Sequence, residues 1–270
     1  MPLEMRGGHL TEWDELGQGP QPAVLIHCSL GRGRSWHGML RQMTEVWTAR
    51  VFDLPGHGNS GEWVEDGQAD VVDRTSDMAA SLVPAGAKVD LIGHSFGATA
   101  ALNLAIKQPG LIRRLILIEP VFFAAIHGSA LYDAELAINT GLMCKLESGH
   151  LDAAAEEFAA SWGVDIPWQD LPDFLRAQYA RGIKFIRAGN AVHFHDKDGL
   201  LDPGRFESLD VPVLLVQGER TQPVVSAIIE ALQMRLPHTR HEVIPGAGHM
   251  LPLTHPHLTA DAIKAFLSST

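Results

Sequence analysis

Ser95 lies in Val89-Asp90-Leu91-Ile92-Gly93-His94-Ser95-Phe96-Gly97-Ala98, a stretch that reads as an apolar strand turning abruptly into a helix. Gly93 and Gly97 stand two residues to either side of the serine. That G-x-S-x-G spacing has a steric cause, because so tight a turn leaves no room for side chains at those two positions. The turn projects the serine Oγ upward from the sheet as a candidate nucleophile. The flanks agree: an apolar run precedes it, and the good helix formers Ala98, Ala100, Ala101, Leu104 and Ala105 follow.

A serine hydroxyl is a poor nucleophile at neutral pH and needs a base within hydrogen-bond reach, usually an imidazole. Fourteen histidines compete for that role. His249 is the strongest, since Pro245-Gly246-Ala247-Gly248-His249-Met250 is a glycine-rich loop just after the last predicted strand. Loops at the carboxyl ends of parallel strands converge, so residues distant in sequence can meet there. His94 adjoins the serine, but side chains diverge at such a turn, which makes it the lesser candidate. His193 and His195 alternate as two metal ligands on a strand would; with no third ligand nearby, no metal site is expected.

The elements that must position these groups alternate between strand and helix. Arg6-Gly7-Gly8-His9 is a two-glycine hairpin turn. Ala23–His27 is a continuous apolar run, as in a strand buried on both faces. Ser35 is a plausible N-cap for a helix in which Trp36, Met39, Leu40, Met43, Val46 and Trp47 recur at helical spacing. A strand at 50–53, a helix around Val72–Leu82, the serine strand with its helix, and a strand at 115–118 follow. This order predicts a parallel, doubly wound sheet. From residue 121 to 208 the pattern changes to helices, at 129–147, 151–161 and 170–188. An all-helical insertion between two strands would form a lid over one edge of the sheet. The α/β pattern then returns, with strands at 211–216 and 240–244 and a terminal helix. The expected organisation is a core of residues 1–120 and 209–270 carrying a lid of 121–208.

Composition narrows the partners. A formal net charge of -11 disfavours binding to nucleic acid or to an anionic membrane, since both need a basic face, and favours a small-molecule substrate. No run of about 18 apolar residues exists, and the N-terminus lacks a basic-then-apolar signal, so a cytoplasmic protein is expected. Cys28 and Cys144 lie far apart without metal-ligand spacing and read as free thiols. Nothing in the sequence sets the oligomeric state.

Four segments together resemble the α/β-hydrolases of the lidded, esterase-like kind. They are the His27-x-x-x-Gly31 loop followed by Trp36, the run Asp53-Leu54-Pro55-Gly56-His57-Gly58-Asn59-Ser60, the Gly93–Gly97 elbow, and the Gly246-x-Gly248-His249 loop. The resemblance implies the α/β-hydrolase fold, Ser95 as nucleophile, His249 as general base, and an oxyanion hole from the backbone N–H groups of Ser29 and Phe96. It implies no cofactor. Two departures stand out. Cys28 occupies a position where the family usually has glycine, and is read as a buried thiol. After the strand at 213–216 the family usually places an aspartate, and Thr221 stands there instead. Some members carry the acid after the strand that follows the nucleophile helix, which here is Glu119; Glu219 is the second choice. Asp53 and His57 are expected to stabilise the turn after their strand. Arg32 and Arg34 could clamp a substrate carboxylate or stand solvated. In the lid, Met143, Phe158, Trp162, Trp168, Phe174, Tyr179, Phe185 and Phe194 offer apolar surface, most of it for the lid's own core.

The expected function is hydrolysis of a small ester, thioester or lactone through a Ser95 acyl-enzyme. The alternatives are hydrolysis of a carbon–carbon bond in a β-diketone-type compound, and a non-catalytic small-molecule-binding protein on the same fold.

Overall fold

The computed structural model describes residues 2–65, 67, 69–163 and 166–270. The chain opens with an antiparallel hairpin, β1 (Leu3–Arg6) and β2 (His9–Leu16), turning at Gly7-Gly8. It continues through β3 (Gln21–Ile26), α1 (His37–Leu40), β4 (Trp47–Phe52), α2 (Val71–Ser81), β5 (Val89–His94), α3 (Phe96–Lys107) and β6 (Ile112–Ile118). Four helices come next: α4 (Ala130–Glu147), α5 (Leu151–Trp162), α6 (Asp173–Gly182) and α7 (Phe185–His195). The chain closes with β7 (Val213–Gly218), α8 (Pro223–Gln233), β8 (Thr239–Ile244), α9 (Leu251–Thr254) and α10 (Pro256–Leu267).

Among the described residues eight strands form one sheet in the order β1-β2-β4-β3-β5-β6-β7-β8. From β4 to β8 in that order every neighbouring pair is parallel; β2 joins β4 antiparallel. Parallel neighbours require crossovers, and the helices that make them cover both faces of the sheet. Strand periodicity divides the core accordingly. Leu91 packs on one side with Met78, Leu104 and Val225, while its neighbour Ile92 packs on the other with Met39, Leu251 and Phe266. Both β5 neighbours are buried strands, so the end of β5 that carries Ser95 lies in the middle of the sheet.

Two expectations about elements need correction. The helix expected from Ser35 to Trp47 is a 3-10 turn at Gly33–Trp36 followed by the single turn α1, and Arg32, not Ser35, is the N-cap residue. Trp47 belongs to β4, where it pairs with Gln21 and its indole Nε1–H donates to the buried Asp90 carboxylate at 2.8 Å. The apolar spacing fits a compact turn as well as a helix, and the tertiary pairing decides. The single helix expected over 170–188 is two, α6 and α7, broken at Ile183-Lys184 just after Gly182. His193 and His195, which alternate in the sequence, both lie on α7, where residues two apart do not share a face.

The four helices between β6 and β7 have a small core of their own, Leu142, Ala154, Ala155 and Ile183, which Leu30 joins from the loop after β3. Ion pairs of Lys197 with Asp70, and of Lys107 with Asp198 and Asp73, tie the end of α7 to α2 and α3. Among the described residues no helix is long and apolar enough to cross a membrane.

Candidate active site

The elbow is as strained as its sequence demands. Ser95 has φ 56° and ψ -118°, a conformation that L residues rarely hold. The two glycines make it possible. A Cβ on Gly93 would stand 2.1 Å from the Gly97 carbonyl oxygen, and one on Gly97 would stand 2.2 Å from that of Ile26. The Ser95 N–H is held by the Ile118 carbonyl at 2.9 Å, so β6 braces the turn.

The loop after β8 brings His249 to the serine, with Ser95 Oγ 3.0 Å from Nε2. Residues after β7 fix this loop. Glu219 accepts the Gly246 N–H at 2.8 Å, the Arg220 guanidinium donates to the Gly246 carbonyl, and the Arg220 N–H donates to Ala247. His94 donates Nε2–H to the backbone carbonyl of His249 at 2.9 Å, and burial pushes its imidazole down to about 3. It holds the loop and is turned away from the serine hydroxyl.

Glu119 follows β6 in the left-handed region (φ 50°) and is fully buried. Its Oε2 accepts Nδ1–H of His249 at 2.9 Å and the hydroxyl of Thr221; its Oε1 accepts the Gly218 N–H at 2.7 Å. A carboxylate only accepts, so the proton of the neutral imidazole is on Nδ1, and Nε2 presents its lone pair to Ser95. Glu219 makes no such contact, because its carboxylate is spent on Gly246. Thr221, where an aspartate was expected, instead donates to Glu119.

The loop after β3 is built from its own sequence and anchored from two sides. Leu30 takes φ 62°, and Gly31 N–H closes a turn onto the Cys28 carbonyl at 3.1 Å. His57 donates Nδ1–H to Pro55 within its own turn and accepts the Leu30 N–H on Nε2 at 2.9 Å. Asp53 accepts the Gly33 N–H at 2.6 Å. These two residues therefore hold the neighbouring loop as well as the turn expected of them. From above, Gln178 of α6 donates to the Leu30 carbonyl at 3.2 Å. Cys28 is buried, and burial pushes its thiol up to about 12, far from a reactive thiolate. Among the described residues the backbone N–H groups of Ser29 and Phe96 have no acceptor.

Ser29, Ser95 and Phe96 open into a cavity beneath the inserted helices. Its walls include Val121, Phe123, Phe158, Trp162 and Phe194, which suits an apolar group. Trp162 also stands edge-on to His249, ring centroids 4.8 Å apart. Of the apolar residues named for the insertion, Phe158, Trp162 and Phe194 reach this wall, Phe185 packs on His57 and Phe96, and Phe174 is 72% exposed. Neither Arg32 nor Arg34 lines the cavity, so no arginine clamp forms there. His193 lines it, a placement that sequence spacing gave no means to find.

The comparisons with known proteins agree with this architecture. A sequence model of the alpha/beta hydrolase family matches residues 23–262. The chain is 24% identical to an (E)-2-((N-methylformamido)methylene)succinate hydrolase of Acinetobacter baylyi, over 99% of this chain and 98% of the relative. It is 27% identical to a pimeloyl-[acyl-carrier protein] methyl ester esterase of Aeromonas salmonicida, over 94% of this chain and 98% of that one. In structure it resembles an alpha/beta hydrolase from Sphaerobacter thermophilus with a TM-score of 0.73 at 23% identity, covering 99% of both chains. With the mostly parallel sheet, the elbow at its centre and a family match over most of its length, this chain is an enzyme of the alpha/beta hydrolase family.

Proposed function

We propose that this protein hydrolyses a small ester, thioester or lactone through an acyl-enzyme on Ser95, with His249 as general base and Glu119 as the acid that orients it. The observation that carries this reading is the unbroken hydrogen-bond series from Ser95 Oγ through both ring nitrogens of His249 to Glu119. Oγ attacks the carbonyl carbon while its proton passes to Nε2 of His249. Glu119 keeps Nδ1–H and offsets the imidazolium charge, remaining ionised throughout. The carbonyl oxygen becomes an oxyanion received by the N–H groups of Phe96 and Ser29; each such donor is worth about 3 kcal/mol in sites of this kind. Collapse of the adduct expels the alkoxide or thiolate, which takes the proton from Nε2. Water, deprotonated by the same nitrogen, then attacks the acyl carbon and releases the acid and Ser95. The helices of 121–208 act as a lid that keeps bulk water from the acyl group.

The scheme calls on no metal and no cofactor. The best sequence support for a non-catalytic binding protein was the absent aspartate after β7, and the Glu119 carboxylate beside His249 weighs against that alternative. The decisive experiment is labelling with a fluorophosphonate probe. Prompt labelling of the wild type that vanishes in Ser95→Ala supports the reading, and a folded wild-type protein that stays unlabelled overturns it.

A further inference from the structure

His193 is used by nothing in the scheme above, yet it is 6% exposed and sits in the wall of the acyl cavity. Its Nδ1 lies 3.0 Å from the Val121 carbonyl and 3.4 Å from the Thr99 hydroxyl. A carbonyl only accepts, so Nδ1 carries the proton and Nε2 has a bare lone pair. Among the described residues Nε2 has no hydrogen-bond partner, and it is not sealed from solvent, in a side chain that lines the cavity. The sequence makes room for this ring. A Cβ on Gly189, one helical turn earlier, would stand 2.8 Å from Nε2 and 3.3 Å from the ring of Phe96, which packs on the imidazole at 5.4 Å between centroids. Burial pushes the His193 imidazole down to about 4, so near neutrality it remains an acceptor at that nitrogen.

The rest of the wall speaks to charge. No lysine or arginine is among the described residues lining the cavity, whereas Glu135 and Glu157 are. Lys145 is engaged with Glu157 and does not itself reach the wall. Burial raises the Glu135 carboxyl above its ordinary value. A carboxylate entering here would lose its hydration and meet acidic neighbours and only the neutral donors Asn139, Ser161 and Asn190, with no cation to pair with. The cavity holds Ser95 and both free N–H groups but is not walled by His249. The leaving group must face His249 to be protonated, so this cavity belongs to the acyl side.

We propose that the cavity takes an uncharged, mainly apolar acyl group bearing one hydrogen-bond donor, a hydroxyl or N–H, which Nε2 of His193 receives. The assignment rests on the ester-hydrolase reading above and narrows its substrate class. It separates this chain from the Acinetobacter relative, whose named substrate is a succinate derivative.

The test uses three matched series of 4-nitrophenyl esters, with plain acyl chains from butanoyl to octanoyl, their ω-hydroxy counterparts, and the half-esters of the corresponding dicarboxylic acids. The expected result is a kcat/KM for one hydroxyacyl ester about tenfold above its plain partner, and half-esters about tenfold or more below it. His193→Leu should erase the hydroxyl preference, and His193→Gln, whose amide oxygen still accepts, should keep part of it. A purely structural role would lower both series together and leave the ratio intact; that outcome, or half-esters turned over as well as plain esters, overturns the proposal. Calorimetric titration of Ser95→Ala protein with methyl 6-hydroxyhexanoate and with monomethyl adipate tests the cavity without turnover. Binding of the neutral ester alone would uphold the cavity's selectivity even if ester hydrolysis itself failed, and equal binding of both would refute it.

Discussion

Glu119 and Thr221 share one hydrogen bond, in which the threonine hydroxyl, standing where a carboxylate would be expected after β7, donates to the carboxylate that reaches His249 from the end of β6. The acid has a different origin in the chain but meets the same imidazole nitrogen. Its side chain is one methylene longer than aspartate, its backbone is in the left-handed region, and Gly218 N–H anchors its other oxygen.

Exchange of the two positions is the sharpest test of that arrangement. Glu119→Gln should lower kcat for ester hydrolysis by about a hundredfold or more with the fold intact, because a neutral amide neither enforces the Nδ1–H tautomer nor offsets the imidazolium. Adding Thr221→Asp to Glu119→Gln should recover about tenfold or more. Thr221→Asp alone should lower activity, since two carboxylates would then crowd one buried site. A Glu119→Gln enzyme with near-normal turnover would remove Glu119 from the mechanism.

Glu219 provides the contrast. It holds Gly246 at the rim and does not touch His249, so Glu219→Gln should cost less than about tenfold in kcat. Steady-state kinetics on the two glutamine variants side by side measures the difference.

His57 is expected to act on catalysis from a distance. In His57→Leu the Leu30 N–H loses its acceptor inside the protein, at a cost of about 1–3 kcal/mol in stability, and the loop that presents the Ser29 N–H is released. The predicted kinetic signature is a fall in kcat of about tenfold or more with a smaller change in KM, because oxyanion contacts strengthen in the transition state. Equal kcat with lowered melting temperature would mean that His57 serves stability alone.

Buried histidines set the acid limit. Burial pushes His57 and His193 down to about 4 and His94 to about 3, against 6.5 in the unfolded chain. As pH falls below about 6.5 the unfolded chain takes up protons that the native protein refuses, so stability is whole above that pH and is lost on the way to pH 4. A shift of this size in one group corresponds to roughly 3 kcal/mol. Asp198, raised to about 6 mainly by burial, works in the opposite sense and offsets part of it. Melting temperatures recorded by calorimetry should decline steadily between pH 7 and pH 4; a flat profile would contradict this account.

At the elbow, Gly97→Ala puts a methyl group against the Ile26 backbone, which has nowhere to go. The expected outcome is loss of more than about 3 kcal/mol of stability, or failure to fold, read by urea denaturation.

What the sequence determined by itself was whatever depends on near neighbours along the chain. The glycines around Ser95 announce a turn that only glycine permits, the buried runs at 23–27 and 115–118 announce strands covered on both faces, and the loss of alternation after residue 121 marks the helical insertion. Pattern reading overreached at Ser35–Trp47, because the same apolar spacing serves a folded-over turn, and pairing of Trp47 with Gln21 and Asp90 settled the matter. It also joined α6 to α7. Tertiary structure decided between the two carboxylates weighed for His249, since Glu119 and His249 are 130 residues apart and Glu219 stood at the end of another strand. The same holds for the free nitrogen of His193, whose tautomer depends on a carbonyl 72 residues away. Hydrogen bonds between distant segments leave no period in a sequence; they exist only once the sheet has brought its strand ends together.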